Sequence, residues 1–315
     1  MSRLRRSGSL AAKIGVSAAA GWLLLREVQG QELARAFAGV RSWAVAIAAL
    51  MYLAGQLLTS HRWRLITNAL GFRRGELETA RIYFIGMFFN LFGPATVGGD
   101  VVRGLYLAER DGRRVVALNS VLFDRLAGLV MLIFVAAVAL AVFGRFGLPP
   151  ALVVTTLAAG IGLTAGWWLV PGLARRMLAP RNRIRRLVDD ELGPLWRDRS
   201  LLAKTAAISL LFHVWQIVAL MAVGYAAGVH VPWAYYFICH PLVTVLGAMP
   251  VSLAGIGVRE LGYVWFLQQQ GVPRELGLTV ALLWFAVLLV ASLAGAAVFV
   301  FSGSSLPKVR TRRVT

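Results

Sequence analysis

What most constrains this chain is a set of apolar runs with the length of a bilayer crossing. Segments 43–60, 115–143, 151–170, 201–227 and 277–301 approach or exceed the ~20 residues that a hydrocarbon core of about 30 Å demands of a helix. A further run, 10–25, is shorter, carries Lys13 and follows Arg3, Arg5 and Arg6. That pattern resembles a signal peptide, but no small-residue cleavage site precedes a soluble domain, so a retained helix is expected. The runs predict an all-α integral membrane protein with about six full transmembrane helices.

Charge then has to be reconciled with apolarity. The chain has 315 residues, 58% hydrophobic and 15% charged, with a mean hydropathy of +0.70. Soluble domains carry about 25% charged residues. Yet 33 Lys and Arg against 14 Asp and Glu give +19, a balance that in a soluble protein points to nucleic acid. No stretch free of apolar runs is long enough to build a soluble basic domain, so no nucleic-acid partner is expected. The lone cysteine, Cys239, excludes a disulfide framework and a cysteine-cluster metal site. No cofactor and no metal site are expected.

Two apolar stretches do not read as simple spans. Segment 79–92 runs into Gly93-Pro-Ala-Thr-Val-Gly-Gly-Asp100, and segment 233–249 into Pro250-Val-Ser-Leu-Ala-Gly-Ile-Gly257. Short apolar runs that end in Gly and Pro are what re-entrant, broken helices look like. Arginine placement tests this. With both stretches as hairpins and the N-terminus inside, the inner segments hold 25 basic residues and the outer ones 5. That is a strong positive-inside bias. Making 79–92 a complete crossing would put Arg110, Arg113 and Arg114 outside and invert the later loops. The expected location is the inner membrane of a bacterial or archaeal cell, with both termini cytoplasmic.

The two breaks align without a gap. Pro94-Ala-Thr-Val-Gly-Gly-Asp-Val-Val-Arg103 matches Pro250-Val-Ser-Leu-Ala-Gly-Ile-Gly-Val-Arg259 at an offset of 156 residues, close to half the chain. Thr96 pairs with Ser252, Gly99 with Gly255 and Arg103 with Arg259. The expected organisation is a basic segment and first helix (1–41), a repeat unit (42–143) with a cytoplasm-facing hairpin (79–111), and a connecting helix with a polybasic amphipathic segment (144–200). A second unit (201–301) follows, with an outward-facing hairpin (233–268), and then a basic tail (302–315). Two oppositely oriented hairpins make an inverted-topology repeat, the architecture of transporters whose site lies near the midplane. Helix N-termini at glycine-exposed breaks suit an anion such as phosphate.

Charged residues within these apolar stretches are the site candidates, because each costs about 2.5–3.5 kcal/mol on insertion scales. They are Asp100 with Arg103, Asp124 with Arg125, and Arg259 with Glu260. Arg103 and Arg259 follow the breaks by one turn, and arginine's planar fork matches phosphate. Asp100 can pair with Arg103 at i, i+3, and Asp124 can neutralise either arginine. The alternative is that these charges only lock the broken helices together. Asn90 and Asn119 can add hydrogen bonds. His213 and His240 share no metal-ligand spacing and read as packed residues, with His240 the better placed for a proton relay. The cluster Arg175, Arg176, Arg181, Arg183, Arg185 and Arg186, interleaved with apolar residues, is accounted for by topogenesis alone; the alternative is an amphipathic stretch on an anionic membrane surface. Trp22, Trp43, Trp167, Trp168 and Trp233 read as interface anchors.

Three ordered segments carry a resemblance. Asn90-Leu-Phe-Gly-Pro-Ala-Thr-Val-Gly-Gly-Asp-Val-Val-Arg103, Ser120-Val-Leu-Phe-Asp-Arg-Leu-Ala-Gly128 and Pro250-Val-Ser-Leu-Ala-Gly-Ile-Gly-Val-Arg-Glu260 resemble the signatures of the lysylphosphatidylglycerol synthase transmembrane-region family, also called flippase-like. The resemblance spans about 39–301. It implies a membrane protein that moves or presents a lipid with a phosphate-containing head group. Gly98, Gly99, Asp100, Arg103, Asp124, Arg125, Gly255, Gly257, Arg259 and Glu260 fall on its motif positions. The chain ends at Thr315, soon after the last span, so the soluble aminoacyl-transfer domain of full synthases is not expected, nor lipid aminoacylation by this chain alone. The expected function is translocation of an anionic phospholipid or isoprenoid-phosphate lipid, with no catalytic residue. Asn90, Thr96 and Ser252 complete the expected binding set. The alternatives are a membrane-embedded lipid-phosphate transferase using Asp100, Asp124 or Glu260 as base, and a scaffold for an envelope-biosynthesis enzyme. Membrane lipids, a second copy of the chain and such an enzyme are the partners in view.

Overall fold

The computed structural model describes residues 2–303 except 27, 93–97, 180 and 250, with side chains from residue 14 onward. Helices follow one another with short joints: α1 (Ser2–Leu25), α2 (Gly30–Ala38), α3 (Ser42–Ala69), α4 (Glu76–Phe92), α5 (Gly98–Ala108), α6 (Arg114–Phe143) and α7 (Pro150–Met177). Short α8 (Arg183–Arg186) leads through a π-helical turn (Leu187–Glu191) to α9 (Gly193–Arg197). Then come α10 (Arg199–Ala226), α11 (Trp233–Ala248), α12 (Val258–Gln268) and α13 (Arg274–Phe301). No strand occurs among the described residues.

Local chemistry sets several of these boundaries. α6 stops at Gly144, whose φ of 85° no Cβ-bearing residue adopts cheaply. α7 starts with proline at its first position, where a missing N–H costs nothing. Asp198 caps α10 by accepting the Leu201 N–H at 2.9 Å.

Five helices, α3, α6, α7, α10 and α13, are long and apolar enough to cross a membrane. The first run, 10–25, lies in the 24-residue α1, whose described apolar part is Ile14–Leu25. α3 also runs past the expected end of its span at residue 60 to Ala69, since nothing before Gly71 breaks it. α7 likewise continues through Pro171 to Met177.

Most buried apolar residues among those described form two cores at opposite ends of the bundle, and a third, small cluster joins Leu24 of α1 to Val264 and Leu278. One gathers the start of α3 (Ala48), the end of α6 (Leu140), the end of α10 (Val223) and the start of α13 (Val280). The other gathers the end of α3 (Ile66), the start of α6 (Ala117) and the start of α10 (Leu202). α4 and α5 contribute Ile82 and Leu107 to the second core, and α11 and α12 contribute Tyr235 and Leu267 to the first. Between the cores lies a buried polar layer: Gln56, Thr59 and Arg62 on α3, Asp124 on α6, and Thr205, Ser209, His213 and Gln216 on α10. α3 and α10 share the most extensive helix contact in the bundle, so this layer is their common seam.

The polybasic segment holds its apolar side chains against the bundle. Val188, Leu192 and Leu195 are buried under the bundle, Asp189 pairs with Arg175 and Arg185, and Glu191 meets Asn119. Trp167 is packed on Phe123 and Trp196 at 5.0 and 4.7 Å and is no anchor. Trp22, Trp43, Trp168 and Trp233 are exposed, as anchors must be.

Candidate functional site

Glycine decides how closely the two short-helix pairs approach. A Cβ on Gly86 of α4 would lie 2.7 Å from Arg103 Cδ and 3.0 Å from the Gly99 carbonyl. One on Gly99 would collide with the Gly86 carbonyl and with Asn90. The pair α11/α12 repeats the arrangement. A Cβ on Gly255 would lie 2.6 Å from the Gly247 carbonyl, and one on Gly247 would lie 3.4 Å from Arg259 Cβ. In each pair, one glycine of the leading helix receives both the glycine after the break and the arginine one turn later.

The second break turns through the left-handed region at Ala254 (φ 51°), Gly255 (78°) and Gly257 (85°). Gly257 donates its N–H to Glu260 Oε2 at 2.6 Å, so Glu260 caps the start of α12. Glu260 Oε1 accepts from Arg259 Nη2 at 2.9 Å. Ser252 is fully buried and its hydroxyl has no partner among the described residues. α1 closes over this break, with Ser17 Oγ accepting the Leu253 N–H at 3.0 Å. Gly98 opens α5. Thr96, with the rest of the first break, lies outside the described residues.

The other candidates converge on one chain of ion pairs. Asp124 accepts from Arg62 Nε at 2.9 Å and from Arg103 Nη2 at 3.2 Å. Asp100 lies 3.7 Å from Arg103 Nη1 and 2.8 Å from Arg125 Nε. Arg62 also donates to Ser209 Oγ at 2.7 Å and to the Asp124 carbonyl at 3.2 Å. The Arg103 guanidinium is flanked by the rings of Tyr83 and Trp63 at 4.1 and 4.3 Å, an attraction strengthened by desolvation. Its Nε and the Asn90 Oδ1 are buried without a partner among the described residues.

Three guanidiniums share two carboxylates here, leaving one positive charge in excess. Arg125 is 49% exposed, and Tyr52 lies within electrostatic range of Arg125, Tyr83 and Arg259. Among the described residues Asp124 pairs with Arg62 and Arg103, and Arg259 pairs with Glu260.

The family model described as "Lysylphosphatidylglycerol synthase TM region" matches residues 10–295, nearly the whole chain. The chain belongs to this family. Membership, with the long apolar helices, makes it a multi-pass membrane protein with a lipid-related role. No curated protein matches it.

Arg62, one of the 25 basic residues counted on inner segments, carries no local mark in sequence of the cluster that it anchors. The available signal was the helix itself. Gly55, Thr59 and Arg62 continue the small and polar face of a run with no breaker before Gly71. Trp63 and Tyr83 were also missed, since a ring that flanks a guanidinium looks like any apolar residue in sequence. His213 bonds the Gly128 carbonyl at 2.9 Å and His240 meets the Tyr263 hydroxyl at 2.8 Å.

Proposed function

We propose that this protein carries a lipid with an anionic, phosphate-containing head group across the membrane, while the acyl chains stay in the bilayer. The observation that carries the reading is the surplus positive charge of the Arg62, Arg103, Arg125, Asp100 and Asp124 cluster. Buried charges in membrane helices tend to be paired and functional. Here the unmatched guanidinium capacity, with the unpartnered Arg103 Nε, suits a phosphate. Arg125 is the exposed member that a head group meets first, and Arg103 is the inner one.

That α4/α5 and α11/α12 contribute to cores at opposite ends of the bundle supports two oppositely oriented re-entrant hairpins related by an inverted repeat. In that reading the Arg259–Glu260 pair forms the equivalent gate from the other side. Glu260 neutralises it, so it is the weaker phosphate site of the two.

The test uses the purified protein in vesicles of phosphatidylethanolamine and phosphatidylglycerol, with a trace of head-group-labelled fluorescent phosphatidylglycerol quenched from outside. Wild-type protein should expose inner-leaflet label over time, and Arg103→Met and Arg125→Gln should not. Equal rates in both variants and wild type would defeat the reading.

A further inference from the structure

Ser17, Ala20, Gly21 and Leu24 follow one another at i, i+3, i+4 and i+7 and so share a face of α1. Among the described side chains of α1 only Ala20 and Leu24 are buried, while Ile14, Trp22 and Leu25 are exposed. The helix that α1 contacts most is α12. Leu24 packs with Val264 and Leu278, and Arg274 Nη2 donates to the Leu23 carbonyl at 2.7 Å. At the other end of the stripe, a Cβ on Gly257 would lie 2.6 Å from Ala20 Cβ and 3.1 Å from the Ser17 carbonyl. α1 therefore covers the glycine from which α12 starts.

Two donors sit side by side at this covered break. The Leu253 N–H donates to Ser17 Oγ at 3.0 Å, its one acceptor among the described residues. The Ser252 hydroxyl is fully buried and has no partner among the described residues. Ser252 is bonded directly to the Leu253 nitrogen through its carbonyl carbon, so covalent geometry keeps its Oγ beside that N–H. Glu260 takes the Gly257 N–H on one oxygen and Arg259 Nη2 on the other, which brings a guanidinium within one carboxylate of the break. A backbone N–H left open in hydrocarbon is expensive, so Ser17 leaves Leu253 only when another acceptor takes its place. The apolar contacts of α1 oppose its release less, because lipid tails solvate Leu and Ile as well as a neighbouring helix does.

We propose that α1 is a displaceable plug on a second anion subsite, in which Ser17 Oγ holds the place of a lipid phosphate oxygen. A phosphate oxygen accepts from the Leu253 N–H more strongly than a hydroxyl does, since the bond is charge-assisted. It also gives the Ser252 hydroxyl its acceptor. Lipid arrival and α1 release are then one exchange, in which the N–H changes acceptor and is not left open. The proposal rests on the translocation reading and supplies the regulation of its second helix pair.

The test labels α1 in dodecyl maltoside micelles, which contain no phosphate. A cysteine replacing Leu24 is shielded while α1 is docked and reacts with a maleimide when α1 lifts. Wild type, whose one cysteine is the buried Cys239, is the blank. Dioctanoyl phosphatidylglycerol should speed labelling of Leu24→Cys severalfold. Dioctanoylglycerol, with the same chains and no phosphate, and inorganic phosphate, with no chains, should not. Leu25→Cys, at an exposed position, should label at one rate throughout and so controls for effects on the reagent. Adding Ser17→Ala should make Leu24→Cys label fast without lipid. Adding Ser252→Ala should raise the phosphatidylglycerol concentration for half the effect by about tenfold or more, as loss of a hydrogen bond to a charged group does. Ala20→Cys serves as a second reporter in case the Leu24 truncation itself undocks α1, and size-exclusion elution identifies any variant that fails to fold. Labelling indifferent to phosphatidylglycerol, equal acceleration by either control compound, or a Ser17→Ala protein that labels as slowly as its parent overturns the plug. The fluorescent phosphatidylglycerol assay separates the two readings. Head-group movement without lipid-dependent labelling sinks the plug and spares translocation, whereas lipid-dependent labelling without head-group movement does the reverse.

Discussion

Arg62 and Asp124 stand 62 positions apart in sequence and form a 2.9 Å ion pair whose side chains are only 5% and 2% exposed. The same carboxylate takes a second guanidinium, Arg103, so one acid ties together α3, α5 and α6. A cluster this buried gains its stability from completeness. Removing a single member strands the others in a low dielectric, whereas replacing a whole pair by apolar groups can be neutral.

Asp124→Asn should therefore destabilise the protein by about 3–5 kcal/mol, as loss of one partner of a buried pair does. The double variant Arg62→Met with Asp124→Leu should recover part of that loss. Thermal unfolding in detergent, followed by loss of monodisperse protein on size exclusion, reads both. A double variant no better than the sum of its singles would show that the two residues are energetically independent.

Close packing at the glycines makes a second expectation. Gly99→Ala drives a methyl into the Gly86 carbonyl and Asn90, and overpacking of this kind costs about 1–3 kcal/mol. Gly247→Ala meets Arg259 only at 3.4 Å and should be milder. Gly162→Ala on α7, with open space around the new methyl, should leave the melting temperature unchanged. An equal response at all three positions would mean that the helix approach is not what the glycines provide.

The long spans and the second glycine break were legible in sequence because apolar length and Gly-Pro punctuation are local signals. The arginines after the breaks were legible for the same reason, as were their acids Asp100 and Glu260. Arg62 was not, since its partner lies on another helix and its charge was indistinguishable from a loop arginine's. The polybasic segment was read by its charge, yet Val188, Leu192 and Leu195 dock it beneath the bundle, a tertiary contact with no sequence period.

Outside the spans, Asp189 gives a pH-dependent joint. Its carboxyl is held below the ordinary carboxylate range, first by the hydrogen bond from Arg175 and then by Arg185. A carboxyl whose pKa is lowered on folding contributes stability above its unfolded pKa and loses it as pH falls through the folded value. Docking of 183–197 should then persist at neutral pH and loosen only in acid. Hydrogen exchange over 183–197 should speed up at acidic pH in wild type, and at neutral pH in Asp189→Asn. Protection in the variant that matches wild type at neutral pH would remove Asp189 from the joint.

Charge arithmetic also discriminates between lipids. Arg62, Arg103 and Arg125 against Asp100 and Asp124 leave one positive charge for a ligand to match, and mismatch is expensive where the dielectric is low. A phosphodiester such as phosphatidylglycerol brings one negative charge. A phosphomonoester, as in phosphatidic acid or an isoprenoid phosphate, brings about 1.5–2 at neutral pH. Unlabelled phosphatidylglycerol should therefore compete with the fluorescent probe better than phosphatidic acid does. Asp100→Asn raises the surplus from one charge to two and frees Arg125 from its 2.8 Å partner. The order of competition should then move toward phosphatidic acid, with Arg125→Gln losing competition by both. A wild-type protein that prefers phosphatidic acid, with no change of order in Asp100→Asn, would mean that the surplus charge does not select the head group.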